Sequence, residues 1–465
     1  MQKRGKVNLQ DILTETVNKF KNLCDYMEIR IEDYETTKIA INTDETEKIG
    51  TSFEFGGNIR ALVNGGWGFI SFNNIDLLPT FAARAIDHAK HVGRNKLVLS
   101  PVPSIVDRVK TEPLSDPRNI TLKEKKKLLD DYNKIILNYD RELIKNSFLA
   151  YYDQIKKKYF CNSEGTFIEQ ELLDLYITVK IIAAKDGITQ PAVVTNGSSN
   201  NFDVCRNLEE KIEKSCKTAI KFLDAPKVKS GVYTVICDPA VTGTFAHEAF
   251  GHTCEADHFY KSESLKKEMR LGRVFGSKVL SIYDTGLDIG SRGSMKYDDE
   301  GVKTEKTYLI KEGVLSGRLH SRETASILGE NPTGSARSID YRFPPICRMR
   351  NTCIEGGNST FDDMIKDIKL GIYAVDFLYG MGGEMFTVAP AYSYMIRNGH
   401  IAEAVRDVKI TGNLFETLKN IDMTGNDFKI NDSGGGCGRG EQWPLATTES
   451  GPHIRIQNVS VGGES

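Results

Sequence analysis

Phe245-Ala246-His247-Glu248-Ala249-Phe250-Gly251-His252 is the stretch around which the chain is organised. Two imidazoles flank a short apolar run, and a carboxylate follows the first directly. This is nearly the H-E-x-x-H arrangement, in which two His on one helix face hold zinc and the Glu acts as base. Here the spacing is one residue longer. On a regular helix, positions i and i+4 lie about 40° apart, whereas i and i+5 lie about 140° apart. Convergence of the two rings therefore requires a distortion. One solution is a π-type turn. The other is a helix that ends at Gly251 in left-handed backbone, so that His252 swings back. Either way Gly251 is expected to carry the distortion. His supplies 8 of 465 residues, which makes a close His pair around a Glu an unusual coincidence for two unrelated helix histidines.

Upstream of the motif, Gly231 to Cys237 reads as a β-branched strand. Asp238 is a good N-cap and Pro239 suits the first helical position, so the motif sits on a helix begun by this pair. A boundary is expected at Asp224-Ala225-Pro226, giving an N-terminal α+β domain over 1–224 and a β-rich C-terminal domain over 225–465. In the first part, an amphipathic helix over Leu9 to Leu23 is followed by short period-two strands at Glu28 to Ile31, Thr37 to Asn42 and Arg60 to Val63. Gly65-Gly66 marks a hairpin, Leu77 to Val92 a helix stopped by Gly93, and Thr121 with Glu124 a capping box. Strands follow at Ser147 to Ile155, Tyr159 to Asn162 and Thr166 to Ile182, then a helix over Leu208 to Leu223. Without regular strand–helix alternation the expected fold class is α+β, two domains rich in antiparallel sheet, with the zinc-site helix in the second.

Composition excludes several classes. The net charge is −2, which gives no general attraction to nucleic acid or anionic membrane. No apolar run reaches the length of a membrane span. Nine cysteines without a C-x-x-C pair point to a reducing cytoplasm rather than a disulfide framework.

A catalytic zinc takes three protein ligands and leaves one position open. The local candidates for the third ligand are Cys254, Glu255, Asp257 and His258. The distant candidate is Cys437, in Gly434-Gly435-Gly436-Cys437-Gly438, where glycine permits close backbone approach and a thiolate is a strong zinc donor. The residues alone leave Cys437 and Cys254 both open. No phosphate loop and no G-x-S-x-G nucleophile elbow is present.

Several segments in order resemble the TldD/PmbA metallopeptidase family, also described as modulators of DNA gyrase. They are the His247 to His252 motif, Glu255, Asp298-Asp299-Glu300-Gly301, Asn331-Pro332-Thr333-Gly334, Arg348-Met349 and Asn351-Thr352. Gly371-Ile372-Tyr373-Ala374, Gly425-Asn426-Asp427, Cys437-Gly438, Val459-Ser460-Val461-Gly462-Gly463 and the N-terminal Asn64 to Phe69 complete the set. The resemblance is to the TldD branch, since the PmbA (TldE) branch lacks the ligands. It implies His247, His252 and Cys437 as zinc ligands and Glu248 as the catalytic residue. It also implies dimers, of like chains or with a TldE-type chain, and cleavage of unfolded or short peptides within an enclosed cleft. One departure is Val302-Lys303-Thr304, where many relatives carry a Thr-Pro-Gly type sequence. The rival expectations are a non-enzymatic binding module with zinc closed by a fourth ligand such as Cys254, and a metal hydrolase acting on something other than peptides.

Overall fold

A computed structural model describes residues 8–431 and 433–463. Its first sheet is built on two long strands, β1 (Tyr26–Asn42) and β2 (Glu45–Val63). With β3 (Gly66–Phe72), β4 (Val106–Val109), β5 (Ile144–Asn162), β6 (Phe167–Lys185) and β7 (Ile188–Ser198) they form a seven-stranded sheet in the order β3-β2-β1-β5-β6-β4, with β7 also on β6. Every pairing in it is antiparallel except β4 on β6. Helices α1 (Leu9–Phe20) and α2 (Leu78–Val92) bury Leu13, Val17, Ala82 and Ala85 against Ile29, Ile31 and Ile59 of this sheet. Helices α3 (Leu122–Tyr139) and α4 (Glu209–Leu223) cover its other end through Leu129, Ile136, Ile212 and Phe222. The Thr121/Glu124 capping box is formed at the start of α3.

The short strands expected at 28–31 and 37–42 are one continuous strand of 17 residues. The charged residues Glu28, Arg30 and Glu32 interrupt the apolar pattern that period-two reading relies on. They are nevertheless buried, because oppositely charged groups meet them. Arg60 Nε lies 2.6 Å from Glu28. Arg30 Nη1 lies 3.0 Å from Asp299 Oδ2. Lys156 lies 3.2 Å from Glu32. The turn at Asn64-Gly65 has positive φ at both residues, 48° and 75°, as a tight two-residue hairpin demands.

From β8 (Gly231–Cys237) onward the strands form other sheets. β8 lies between Leu370–Met381 and Ile454–Gly462. The path continues through Lys409–Asn413 to Met385–Arg397, which pairs back onto Leu370–Met381 and closes the ring. A separate six-stranded sheet contains Ile282–Thr285, Asn351–Ile354 and Thr448–Gly451. Helix α5 (Pro239–Phe245) lies between the two, with Asp238 Oδ1 accepting the Val241 N–H at its N-cap. The architecture is α+β and rich in antiparallel sheet, as expected.

The Asp298-Asp299-Glu300-Gly301 segment meets the first sheet. Glu300 accepts from Arg60 Nη2 at 2.8 Å, and Asp299 is in contact with both Arg30 and Lys158. These two cations hold the Asp299 carboxyl below its usual range despite burial, whereas burial pushes Asp298 up. Asp298 accepts the N–H groups of Glu300, Val302 and Ala336. Val302 and Thr304 of the atypical Val302-Lys303-Thr304 segment are buried beneath this loop, and Lys303 is exposed.

Candidate metal centre

The helix that carries the motif changes pitch at the motif. Pro239–Phe245 is α-helical, Ala246–Phe250 is a π-turn, and Gly251–Cys254 is a 3-10 turn. The wider turn brings positions i and i+5 onto one face, so the rings of His247 and His252 approach to 5.1 Å between centroids at an interplanar angle of 86°. Gly251 does not carry the distortion. Its backbone is ordinary right-handed helix, φ −56° and ψ −48°, while Phe250 departs with φ −115°. What glycine supplies at 251 is space instead, since a Cβ there would lie 2.0 Å from Met349 Sδ and that side chain would have to shift.

Cys437 arrives from a distant hairpin in which it pairs with Leu445. Gly436 lets that hairpin close, because a Cβ there would lie 2.4 Å from the Leu445 carbonyl oxygen. The donor atoms of His247, His252 and Cys437 all lie within 4.8 Å of one another, and Cys437 Sγ is 3.5 Å from His252 Nε2. A tetrahedral zinc with ordinary Zn–N and Zn–S lengths separates an N and an S donor by about 3.6 Å. The donor set and its spacing therefore fit a metal of this kind. Burial raises the Cys437 thiol pKa, but the charges and hydrogen bonds of His247 and His252 outweigh it and bring it down to about 4. Burial disfavours the charged form of both imidazoles, and the Cys437 thiolate reverses that and raises each, with Glu255 assisting at His252.

The supporting residues form a second network. His252 Nδ1 lies 3.0 Å from Glu255 Oε2. Glu255 is fully buried, and His252, Arg439 and Arg348 keep its carboxyl ionised against the cost of burial. Arg348 Nη2 donates to the Cys437 carbonyl at 2.9 Å and its Nε lies 3.8 Å from Glu255, so one guanidinium ties the His252 and Cys437 segments together. Arg439 donates to Asp257 at 2.8 Å and lies 3.4 Å from Glu255.

The four local candidates for a third ligand take other positions. Glu255 orients His252, Asp257 pairs with Arg439, and His258 is exposed. Cys254 lies in the apolar core of this half of the molecule, and burial pushes its thiol pKa up. Glu248 is partly exposed, with Oε2 4.0 Å from His252 Nε2. A strand hairpin lies over it closely enough that a Cβ at Gly382 would be 2.0 Å from the Glu248 carbonyl oxygen. Sequence reading missed Glu449, whose Oε1 is 3.6 Å from His247 Nδ1. Its run, Thr447-Thr448-Glu449-Ser450-Gly451, resembles no motif.

A cavity of about 540 Å³ is lined by residues of both the first sheet and the C-terminal half. Tyr34, Tyr152, Tyr176, Trp443 and Leu445 line it; His247, Glu248, His252 and Cys437 do not. Its link to the centre is the Cys437–Leu445 pairing.

Three domain descriptions of one family match in order: PmbA/TldA metallopeptidase domain 1 over residues 27–90, the central domain over 115–225 and the C-terminal domain over 230–463. A metalloprotease of Synechocystis is 40% identical over 456 residues, covering 97% of this chain and 98% of the relative. A zinc metalloprotease TldD homolog of Saccharolobus solfataricus is 29% identical, covering 94% and 96%. The crystal structure of TldE from Thermococcus kodakarensis has the same fold, with a TM-score of 0.76 at 19% identity over 97% of this chain and 100% of that one. With these matches running from the first sheet to the last strand, the chain belongs to the PmbA/TldD metallopeptidase family.

Proposed function

We propose that the chain is a TldD-type zinc peptidase that hydrolyses unfolded or short peptides. The observation that carries this reading is the convergence of His247, His252 and Cys437 beside a partly exposed Glu248. Two imidazoles and one thiolate would hold zinc and leave a coordination position open. Zinc in such a site supplies Lewis acidity toward a carbonyl and acidifies a water. Glu248 sits on the same helix as the two histidines, with Oε2 4.0 Å from His252 Nε2, so it would stand beside a metal held there. It takes the proton of the attacking water as general base and delivers it to the departing amine nitrogen. Glu255, Arg348 and Arg439 keep His252 and Cys437 in place while this happens.

The 540 Å³ cavity beside the Cys437 hairpin supports entry of an extended peptide from the groove between the first sheet and the second half. The same reading divides the chain at residues 224 and 225, places it in the cytoplasm, and pairs it with a second copy or a TldE-type chain. Among the described residues no helix is long and apolar enough to cross a membrane. The closed-site alternative needs a fourth protein ligand, and Cys254 is held in the apolar core instead. The test is metal analysis with peptide cleavage on wild type and Glu248→Gln, alone and with a TldE-type partner. Wild type should contain stoichiometric zinc and cleave a disordered peptide. A zinc-loaded wild type that cleaves nothing in either setting would overturn the peptidase reading.

A further inference from the structure

The two histidines of the centre are each faced by a carboxylate, from different parts of the chain. His252 Nδ1 meets Glu255 Oε2 at 3.0 Å. His247 Nδ1 is buried and has no hydrogen-bond partner, and Glu449 Oε1 stands 3.6 Å from it. The two rings are nearly perpendicular, so one carboxylate does not serve both. We propose that Glu449 is the positioning residue for His247: it accepts the Nδ1–H and thereby fixes the tautomer and the ring plane in which the other nitrogen faces Cys437 and the metal. The inference rests on the zinc reading above.

Rigid backbone sets the position of Glu449. It lies on the strand Thr448–Gly451, opposite Thr352 on one side and Asn431 on the other. Helix α5 lies directly on that strand at Gly243, where a Cβ would come within 2.7 Å of the Glu449 carbonyl carbon. Thr244 Oγ1 donates to Glu449 Oε2 at 3.4 Å, which leaves Oε1 facing the imidazole. A side-chain adjustment of about 0.6 Å reaches ordinary hydrogen-bond length. A neutral imidazole that gives one nitrogen to a metal must place its remaining N–H somewhere, and partners of this kind are what orient metal-bound histidines. Glu449 is the acidic group that faces that nitrogen, and it reaches it from the sheet opposite the helix.

The test uses the full chain loaded with zinc. Zinc affinity is measured by competition with a chromophoric chelator for wild type, Glu449→Ala, Glu449→Gln, Glu255→Ala and His247→Ala. Glu449→Ala is expected to bind zinc about 10–100-fold more weakly than wild type, in the range of Glu255→Ala. Glu449→Gln, which retains an acceptor oxygen, should recover most of the loss. The metal-free melting temperature separates these effects from general destabilisation. In ¹⁵N-histidine spectra of the zinc-loaded chain, Glu449→Gln should move the His247 Nδ1 proton upfield and leave that of His252 in place. That readout stands even if Glu449→Ala does not fold. Wild-type zinc affinity in Glu449→Ala, or an unmoved His247 proton in Glu449→Gln, overturns the role of Glu449 alone. If His247→Ala loses zinc in the same series, the zinc reading survives. A wild-type chain that takes up no zinc overturns both.

Discussion

Two clusters of charged side chains are buried in this molecule, and they behave oppositely. At the junction of the first sheet with the C-terminal half, Glu28, Arg30, Glu32, Arg60, Lys158, Asp299 and Glu300 are all buried. Each cation there faces an anion, with contacts such as Arg30–Asp299 at 3.0 Å and Arg60–Glu300 at 2.8 Å. At the candidate metal centre, two imidazoles and a thiol converge within 4.8 Å, and two carboxyl groups, Glu255 and Glu449, face the imidazoles from behind. The first cluster neutralises itself and joins two parts of the fold. The second gathers three donor atoms from two segments onto one shared space. Burial of charge alone therefore does not mark a site; donor atoms converging on shared space do. Both clusters draw on segments by which the chain resembles its family, so the motifs themselves do not separate the two roles.

The sharpest way to break this comparison is to remove ligands. His247→Ala, His252→Ala and Cys437→Ala should each lose bound zinc and peptidase activity, whereas Cys254→Ala should keep both, as read by metal analysis of the purified protein. A Cys254→Ala protein that emptied while Cys437→Ala stayed loaded would reverse the assignment. Next in size is Glu248→Gln, expected to retain zinc and fold while peptide cleavage drops about 10²–10⁴-fold. Chelator should abolish wild-type activity and change nothing further in this variant.

The opposite cluster should respond in stability only. Asp299→Ala takes away the nearer of the two carboxylates that Arg30 and Lys158 share and leaves them only Glu32, at 3.8 and 4.0 Å, and breaking a buried pair in this way costs about 3–5 kcal/mol. Denaturant unfolding should show that loss, while zinc per folded molecule stays at the wild-type value. A zinc deficit in folded Asp299→Ala would mean that the two clusters are coupled. Gly251→Ala falls between them. The added methyl collides with Met349 Sδ, an overpacking expected to cost about 1–3 kcal/mol. An unchanged midpoint would show that Met349 simply moves aside.

The smallest effect is chemical reactivity. In metal-free protein His247 and His252 outweigh burial and bring the Cys437 thiol down to about 4, so its thiolate is expected to persist as pH falls toward that value. Burial pushes Cys254 and Cys353 the other way. Iodoacetamide at pH 6 should therefore label Cys437 ahead of either, with zinc giving protection, as read by peptide mass analysis. Equal labelling of the three would remove the electrostatic distinction of this site.

Local chemistry was legible wherever one short segment decides the outcome. Asp238-Pro239 started the helix, Thr121 and Glu124 capped α3, Gly65-Gly66 marked the hairpin to within one residue of its Asn64-Gly65 turn, and the i+5 spacing of His247 and His252 demanded a change of helical pitch. These depend on backbone geometry over a few residues, which the sequence specifies by itself. The reason for Gly251 was not legible, because its neighbour Met349 is 98 positions away in the chain. The unbroken length of β1 was also hidden, since the charges that interrupt its pattern are neutralised by Lys156, Lys158 and Asp299 from remote segments. Glu449 gave no signal at all, for the partner that gives it meaning lies on a helix two hundred residues earlier. What the sequence determined alone was the chemistry available: two imidazoles, a carboxylate and a thiol with glycines beside it. Which of these meet, and which carboxylate stands behind each ring, only the tertiary structure decided, because such contacts are set by how sheets pack and not by spacing along the chain.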